Sequence, residues 1–234
     1  MKIDDAGLNM IAGWAQNDDI IMIEEMPIFG GYAGGLEEST LCDMCAHLIS
    51  FTTYNGSWHL EGPIHVRWGI TTSRESLAMA GHVAASLDKH TDLLLGNQYY
   101  PLSGPCTEMC LKEVSAQAIT DTASGREIIS GSASAKGVLE NYTTGLEARM
   151  MSKAAEAIAG ESVSKANEIL DTLVGEYEQN YKEADTTKDP SNTKLGRGKK
   201  LNECYDMETL TPTEEYYEVY DTVLKDLEDL GLSF

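Results

Sequence analysis

The chain has 234 residues, of which 42% are hydrophobic, and a formal net charge of −21. This length suffices for one large domain or a domain with an appendage, and the hydrophobic content is that of a folded protein. The negative charge argues against binding to nucleic acid or to an anionic membrane, because both need a basic surface. It is typical of a highly soluble protein, and an acidic dock for a basic partner is the alternative.

Targeting signals and disulfides are not indicated. No apolar run approaches the ~20 residues that a membrane-spanning helix needs. The N-terminal sequence lacks the cationic and apolar regions of a secretory signal. The odd number of cysteines, five, favours a reducing compartment. The sequence therefore predicts a cytoplasmic protein.

Four strand–helix units are predicted in the first part of the chain. The predicted strands are residues 19–23, 57–60, 92–95 and 126–130, and the helices are residues 37–53, 73–89, 106–121 and 143–159. The strands are mostly continuous apolar runs, a pattern typical of parallel strands that are covered on both faces. The alternation predicts an α/β fold with right-handed crossovers.

The pattern changes after residue 160. Residues 162–180 and 213–230 are predicted to be amphipathic helices, the second starting at Thr211-Pro212-Thr213-Glu214. The polar segment between them predicts an exposed loop, and its basic run is interpreted as solvated rather than as a binding site. We therefore divide the chain into residues 1–160, which carry the four units, and residues 161–234, a helical extension with a flexible loop at 183–200.

Polar side chains follow each predicted strand, and the exits of parallel strands share one edge of the fold. These side chains are Glu24, Glu25, His59, Glu61, Gln98, Tyr99, Tyr100, Ser130 and Ser132. Carboxylates, an amide and phenols suit a cationic or amine-bearing small molecule, and a buried carboxyl group with a raised pKa can act as a general acid or base. Helix capping or loop hydrogen bonding is the alternative role for any one of them.

Two cysteine pairs have the spacing of metal ligands: Cys42 with Cys45, and Cys106 with Cys110. Both pairs fall in predicted helices, where a free cysteine usually packs as a small hydrophobic residue. We therefore predict no metal site, and a metal-dependent enzyme that uses these cysteines stays an alternative.

Several long blocks of the chain resemble the monomethylamine:corrinoid methyltransferase family of methanogenic archaea. The blocks are residues 22–35, 57–69, 97–109, 120–137, 211–216 and 227–232. The similarity covers nearly the whole chain except the loop at 183–200, which resembles an insertion. Ordered blocks of this length are far more specific than a short motif.

The resemblance implies a (β/α)8 TIM barrel that assembles as a homo-oligomer and transfers the methyl group of monomethylamine. The acceptor is the cobalt of a separate cognate corrinoid protein, so the barrel itself binds no cofactor. The chemistry centres on a pyrrolysine with an electrophilic imine. By the same resemblance, Glu24 corresponds to a carboxylate beside the pyrrolysine ring, and Gln98 and Tyr100 correspond to polar groups that line the same pocket.

This chain departs from the family in two respects: it contains no pyrrolysine, and it shows four βα units where a closed barrel has eight. We expect it to be the C-terminal half of the enzyme, produced where an in-frame amber codon is taken as a stop. An open half-barrel exposes apolar edges, so we expect the isolated chain to be inactive and prone to aggregation. A non-catalytic, acidic partner-binding α/β module is the alternative.

Overall fold

The computed structural model describes residues 3–183 and 198–234. Within them, the strands are β1 (Met22–Glu25), β2 (Ile28–Phe29), β3 (Trp58–Glu61), β4 (Ile64–His65), β5 (Leu95–Tyr99), β6 (Ile128–Ser132), β7 (Tyr205–Asp206) and β8 (Thr211–Pro212). The helices are α1 (Asp5–Gln16), α2 (Leu36–Thr52), α3 (Arg74–His90), α4 (Glu108–Ala123), α5 (Gly145–Ile158), α6 (Val163–Glu183), α7 (Leu201–Cys204) and α8 (Glu214–Asp229). None of the helices in these ranges is long and apolar enough to cross a membrane.

The central sheet is parallel and follows the order of the chain, β1-β3-β5-β6. Each of its strands leads into a long helix, from α2 after β1 to α5 after β6. The short strands β2 and β4 form a second parallel pair beyond the carboxyl ends of β1 and β3. The predicted α/β fold with four βα units is therefore confirmed.

Three strand positions differ from the prediction, since β6 begins two residues after its predicted start at residue 126. The sequence predicts strands at residues 19–23 and 92–95, whereas β1 and β5 each begin three residues later. The apolar runs that predicted the starts of β1 and β5 include Ile20 and Leu94, which are 81% and 47% exposed and precede the strands. The strands instead continue into polar residues that find partners inside the fold. Gln98 and Tyr99, predicted to follow a strand, consequently lie within β5.

The predicted long helices are confirmed, and four of them begin at a hydroxyl side chain that accepts a hydrogen bond from a backbone N–H of the first turn. These N-caps are Ser73, Thr107, Thr144 and Thr213. Helix α1 was not predicted. It starts at Asp4, whose carboxylate accepts from the Gly7 N–H at 2.9 Å, and it buries only Ile11.

The main hydrophobic core lies between the helices, and α4 is buried along most of its length. Helices α6 and α8 pack against α4 and α5 in this same core, so it extends across residue 160. The proposed division there stays a prediction. Most of the predicted loop, residues 184–197, lies outside the described residues. Directly after it, the Lys199 N–H donates to the Pro105 carbonyl at 2.8 Å.

Candidate functional site

The register of the central sheet places Glu24 and Gln98 on one face. Glu24 pairs with Leu60, and Leu60 pairs with Gly96. Because side chains alternate along a strand, Gln98 points to the same side as Gly96. We call this side of the sheet the pocket face.

The next row of paired residues points to the opposite side, which we call the helix face. Glu25 pairs with Glu61, and Glu61 pairs with Asn97. Glu61 lies 3.7 Å from His47 on α2, and the Asn97 amide donates to Asp121 on α4 at 2.9 Å. The prediction of one shared rim is therefore wrong for Glu25, His59, Glu61 and Tyr99. These four residues lie inside β1, β3 and β5 rather than after them, so the alternation of side chains directs them to the face opposite Glu24 and Gln98.

Tyr100 follows β5 and is brought close to both pocket-face residues. Burial raises the pKa of the Tyr100 phenol, the nearby Glu24 carboxylate raises it further, and a hydrogen bond with Gln98 lowers it. Glu24 is exposed, whereas Gln98 and Tyr100 are half-buried. The structure thus brings together the three residues that the sequence singled out.

A hydrogen-bonded chain fixes the backbone of this site. The Gln117 amide on α4 donates to the Gln98 carbonyl at 3.1 Å, and its oxygen accepts from the Thr71 hydroxyl at 2.7 Å. The Thr71 oxygen in turn accepts from the Tyr100 N–H at 2.8 Å. Both Gln117 and Thr71 are buried, so one side chain of α4 positions both Gln98 and Tyr100.

The Gln98 side-chain oxygen is an acceptor without a donor. It is buried, and no hydrogen-bond partner for it exists among residues 3–183 and 198–234. Since a buried acceptor is normally paired, this oxygen and the Glu24 carboxylate together favour a ligand that brings N–H groups.

The loop after β6 closes against Tyr100 in a strained conformation. Ala135, Lys136 and Gly137 have successive positive φ angles of 52°, 60° and 65°. A Cβ atom at Gly137 would lie 2.9 Å from Tyr100 Cε1, so only glycine fits there. The N–H of Lys136 donates to the Pro101 carbonyl at 2.9 Å and holds the loop in place.

Lys136 in this loop is a residue that the sequence did not single out. Burial lowers the pKa of its ammonium group, and it makes no ion pair within the described part of this strongly acidic chain. Its only sequence signal is its place before a glycine in the polar run that follows the fourth strand.

On the helix face, buried charges form a network. Arg126 forms ion pairs with Glu61 and with Asp121, the latter at 3.1 Å, and donates to the Gly96 carbonyl at 2.9 Å. Burial raises the pKa of Asp43 to about 6 and raises that of Glu61 well above its usual value. Burial also lowers the pKa of His59 to about 2. The sequence did not predict this network because its members are distant along the chain.

The two serines predicted at the fourth strand exit both lie within β6, and Ser130, two residues after Ile128, the partner of Gly96, is on the pocket face. Ser130 is half-buried within β6. Ser132 pairs with Tyr99 and lies 3.1 Å from the Ser134 hydroxyl, which donates to Glu147 at 3.0 Å.

The cysteines do not gather into a metal site in the described residues. Cys42 and Cys45 are exposed, whereas Cys106 and Cys110 are buried, and burial raises the pKa of the Cys110 thiol well above its usual value. The group of potential metal ligands found in residues 3–183 and 198–234 consists of Asp43, His47 and His59 and includes no cysteine.

Comparison with known proteins gives a consistent result. The sequence model of the family "Monomethylamine methyltransferase MtmB" matches residues 1–232. Monomethylamine methyltransferase MtmB1 of Methanosarcina acetivorans is 56% identical over 234 residues, which are 100% of this chain and 49% of that protein. MtmB of Methanosarcina mazei is 55% identical with the same coverage.

Two solved structures are also similar. The crystal structure of Methanosarcina barkeri MtmB superposes with a TM-score of 0.90 at 56% identity, over 97% of this chain and 47% of that one. A crystal structure of a hydroxylamine complex of MtmB matches equally well. The chain thus spans about half the length of the relatives that it matches.

Proposed function

We propose that this chain, which belongs to the monomethylamine methyltransferase MtmB family, forms half of a cytoplasmic (β/α)8-barrel enzyme that takes the methyl group from monomethylamine. Its four parallel strands follow one another in chain order, as in such a barrel, whose sheet needs eight. The relatives that it matches are about twice as long. The remaining strands are expected from a segment that joins the free edges of β1 and β6.

The amine site of this enzyme is assigned to Glu24, Gln98 and Tyr100. The observation that carries the assignment is the buried, unpartnered oxygen of Gln98 beside Tyr100 and the Glu24 carboxylate. An alkylammonium ion has N–H donors for both acceptors and a charge that the carboxylate attracts. The hydroxylamine complex of a relative also supports a site for a small nitrogen nucleophile.

The roles of the three residues follow from their chemistry. Glu24 attracts the ammonium ion and accepts its proton, since only the neutral amine is nucleophilic. Gln98 accepts an N–H bond and orients the nitrogen, while the Tyr100 phenol can donate to or accept from the bound group. Pyrrolysine, contributed by the other half, is expected to supply the electrophile, and the methyl acceptor is the cobalt of a separate corrinoid protein.

The same edge of the sheet carries a surface suited to that protein partner. Ile28, Tyr32, Val66 and Val138 are between 45% and 108% exposed and lie just beyond the carboxyl ends of β1, β3 and β6. We call these four residues the docking rim. Their position around the pocket agrees with a partner that must bring its cobalt to the amine. A homo-oligomer of the complete enzyme is also expected.

The DNA upstream of the coding sequence tests the proposal. An open reading frame that passes through an in-frame amber codon into this chain supports it. We call the product of that frame, with pyrrolysine incorporated, the joined protein. A promoter and an unrelated upstream gene would instead favour a stand-alone partner-binding module.

A further inference from the structure

We propose that Asp43, His47 and His59 bind one divalent metal ion of the zinc class, with Glu61 as the fourth ligand. Asp43 and His47 lie one turn apart on α2, and His59 and Glu61 lie two residues apart on β3. The site thus joins the first βα unit to the second. It is on the helix face, so it is separate from the amine pocket and independent of the proposed function.

The donor atoms of this cluster lie close together and are buried from solvent. One ligand atom from each of Asp43, His47 and His59 lies within 4.8 Å of the others. The second Glu61 oxygen lies 3.7 Å from His47 Nε2, and all four side chains have no exposed surface. Zinc holds nitrogen and oxygen ligands at about 2.0–2.2 Å, so the donor atoms of the cluster must move closer together around the ion.

An unusual number of these atoms have no hydrogen-bond partner. Both ring nitrogens of His59, Nε2 of His47, the side-chain oxygens of Asp43 and one oxygen of Glu61 are buried without a hydrogen bond among the described residues, and Asp43 Oδ1 lies 3.2 Å from His47 Nδ1. Buried polar atoms are nearly always hydrogen-bonded, so this many unsatisfied atoms in one cluster indicate a missing common partner. A metal ion satisfies all of the ligating atoms at once.

The orientation of His47 fits this role. Its Nδ1 atom lies 2.9 Å from the Asp43 backbone carbonyl, which accepts the ring N–H and leaves Nε2 directed at Glu61. Metal-binding histidines commonly donate their second nitrogen to a backbone carbonyl or a carboxylate, because this fixes the ring and its tautomer.

The charge balance is compatible with a divalent cation. The network contains three fully buried carboxyl groups, of Asp43, Glu61 and Asp121, and one guanidinium, that of Arg126. If all are ionised, two negative charges remain, which a divalent ion neutralises. A ligand set of two imidazoles and two carboxylates suits zinc, and four protein ligands leave no open position, so the ion is structural.

Metal analysis of the chain and of the joined protein tests this site. We expect about one zinc ion per chain after growth with zinc, as for other closed sites. Unfolding with a chelator and refolding with Co²⁺ should give visible d–d absorption that zinc abolishes. Absence of any stoichiometric divalent metal, together with no cobalt absorption in the folded protein, would overturn the proposal. That result would mean that Asp43 and Glu61 share a proton instead.

Variants locate the site. His59→Ala is expected to lose the metal and Asp43→Asn to lower zinc affinity by more than about 100-fold, since even outer partners of a metal site are worth 10–100-fold. His82→Ala on the exposed side of α3 is the matched control and should keep the metal. Full retention of zinc by both folded site variants contradicts the assignment.

Discussion

The Gln117 side chain, 3.1 Å from the Gln98 carbonyl, holds the pocket strand from the helix side of the sheet. It does so from inside α4, where it is fully buried. A buried amide with both of its ends bonded fixes its neighbours, and its removal takes the amide donor from the Gln98 carbonyl and the acceptor from the Thr71 hydroxyl.

Gln117→Leu is therefore expected to weaken amine binding, although Gln117 itself does not line the pocket. Loss of the two bonds should lower the free energy of unfolding by about 1–3 kcal/mol. In the joined protein it should raise KM for monomethylamine, because Gln98 and Tyr100 lose their common support. Thermal denaturation and steady-state kinetics measure both effects, with the exposed Gln179→Leu as the control. Unchanged stability and KM in Gln117→Leu would argue against this supporting role.

Substitution of Glu24 tests the amine site directly. In the joined protein, Glu24→Gln should lower kcat/KM by about 10²–10⁴-fold, as for loss of a general base. The isosteric amide keeps the shape but neither attracts the ammonium ion nor accepts its proton. Glu37→Gln, an exposed change in the first turn of α2, should leave the kinetics unaltered. Equal kcat/KM values for Glu24→Gln and Glu37→Gln would show that Glu24 takes no part in the reaction.

The docking rim predicts a selective loss of partner binding. Tyr32→Ser and Val66→Asp in the joined protein should raise KM for the corrinoid protein, because both replace exposed apolar surface with polar groups. The affinity for the amine should not change. Titration of methyl transfer against each substrate separates the two effects. A change confined to the amine would show that these residues line the pocket rather than a partner interface.

Glu113 gives stability an unusual pH dependence. Burial raises the pKa of its carboxyl group from 4.5 to about 7, although it accepts bonds from Thr72, Leu102 and Ser103. Because the folded state holds the proton more tightly than the unfolded state, this contribution is fully present below about pH 4.5. It is lost as pH rises through about 7 and amounts to about 3 kcal/mol.

Denaturation between pH 4 and pH 8 measures this contribution. Glu113→Gln cannot titrate, so its free energy of unfolding should fall less steeply with pH than that of the parent chain. Glu140→Gln, an exposed change, should retain the parent slope. Identical slopes in all three proteins would show that Glu113 does not bind a proton in this range.

Much of the fold was predictable because it rests on local signals. Ser73 and Thr213 mark helix starts that the structure confirms. The grouping of Glu24 with Gln98 was also predictable, since the carboxyl ends of parallel strands meet at one edge.

The faces of the sheet were not predictable from the same signals. Whether Gln98 or Tyr99 points to the pocket depends on the register of β5. The apolar run that predicted this strand starts too early, because it includes the exposed Leu94. The network around Arg126 depends on contacts with Glu61 and Asp121, which belong to different elements. The positive φ of Lys136 has no strong local signal either, because glycine follows it rather than occupying its place.

The central claim is that this chain carries the amine-binding wall of an enzyme whose electrophile lies in the other half. Its most direct test compares methyl transfer from monomethylamine to the corrinoid protein by the chain alone and by the joined protein. We predict turnover by the joined protein and none by the chain alone. Turnover by the chain alone would contradict the account.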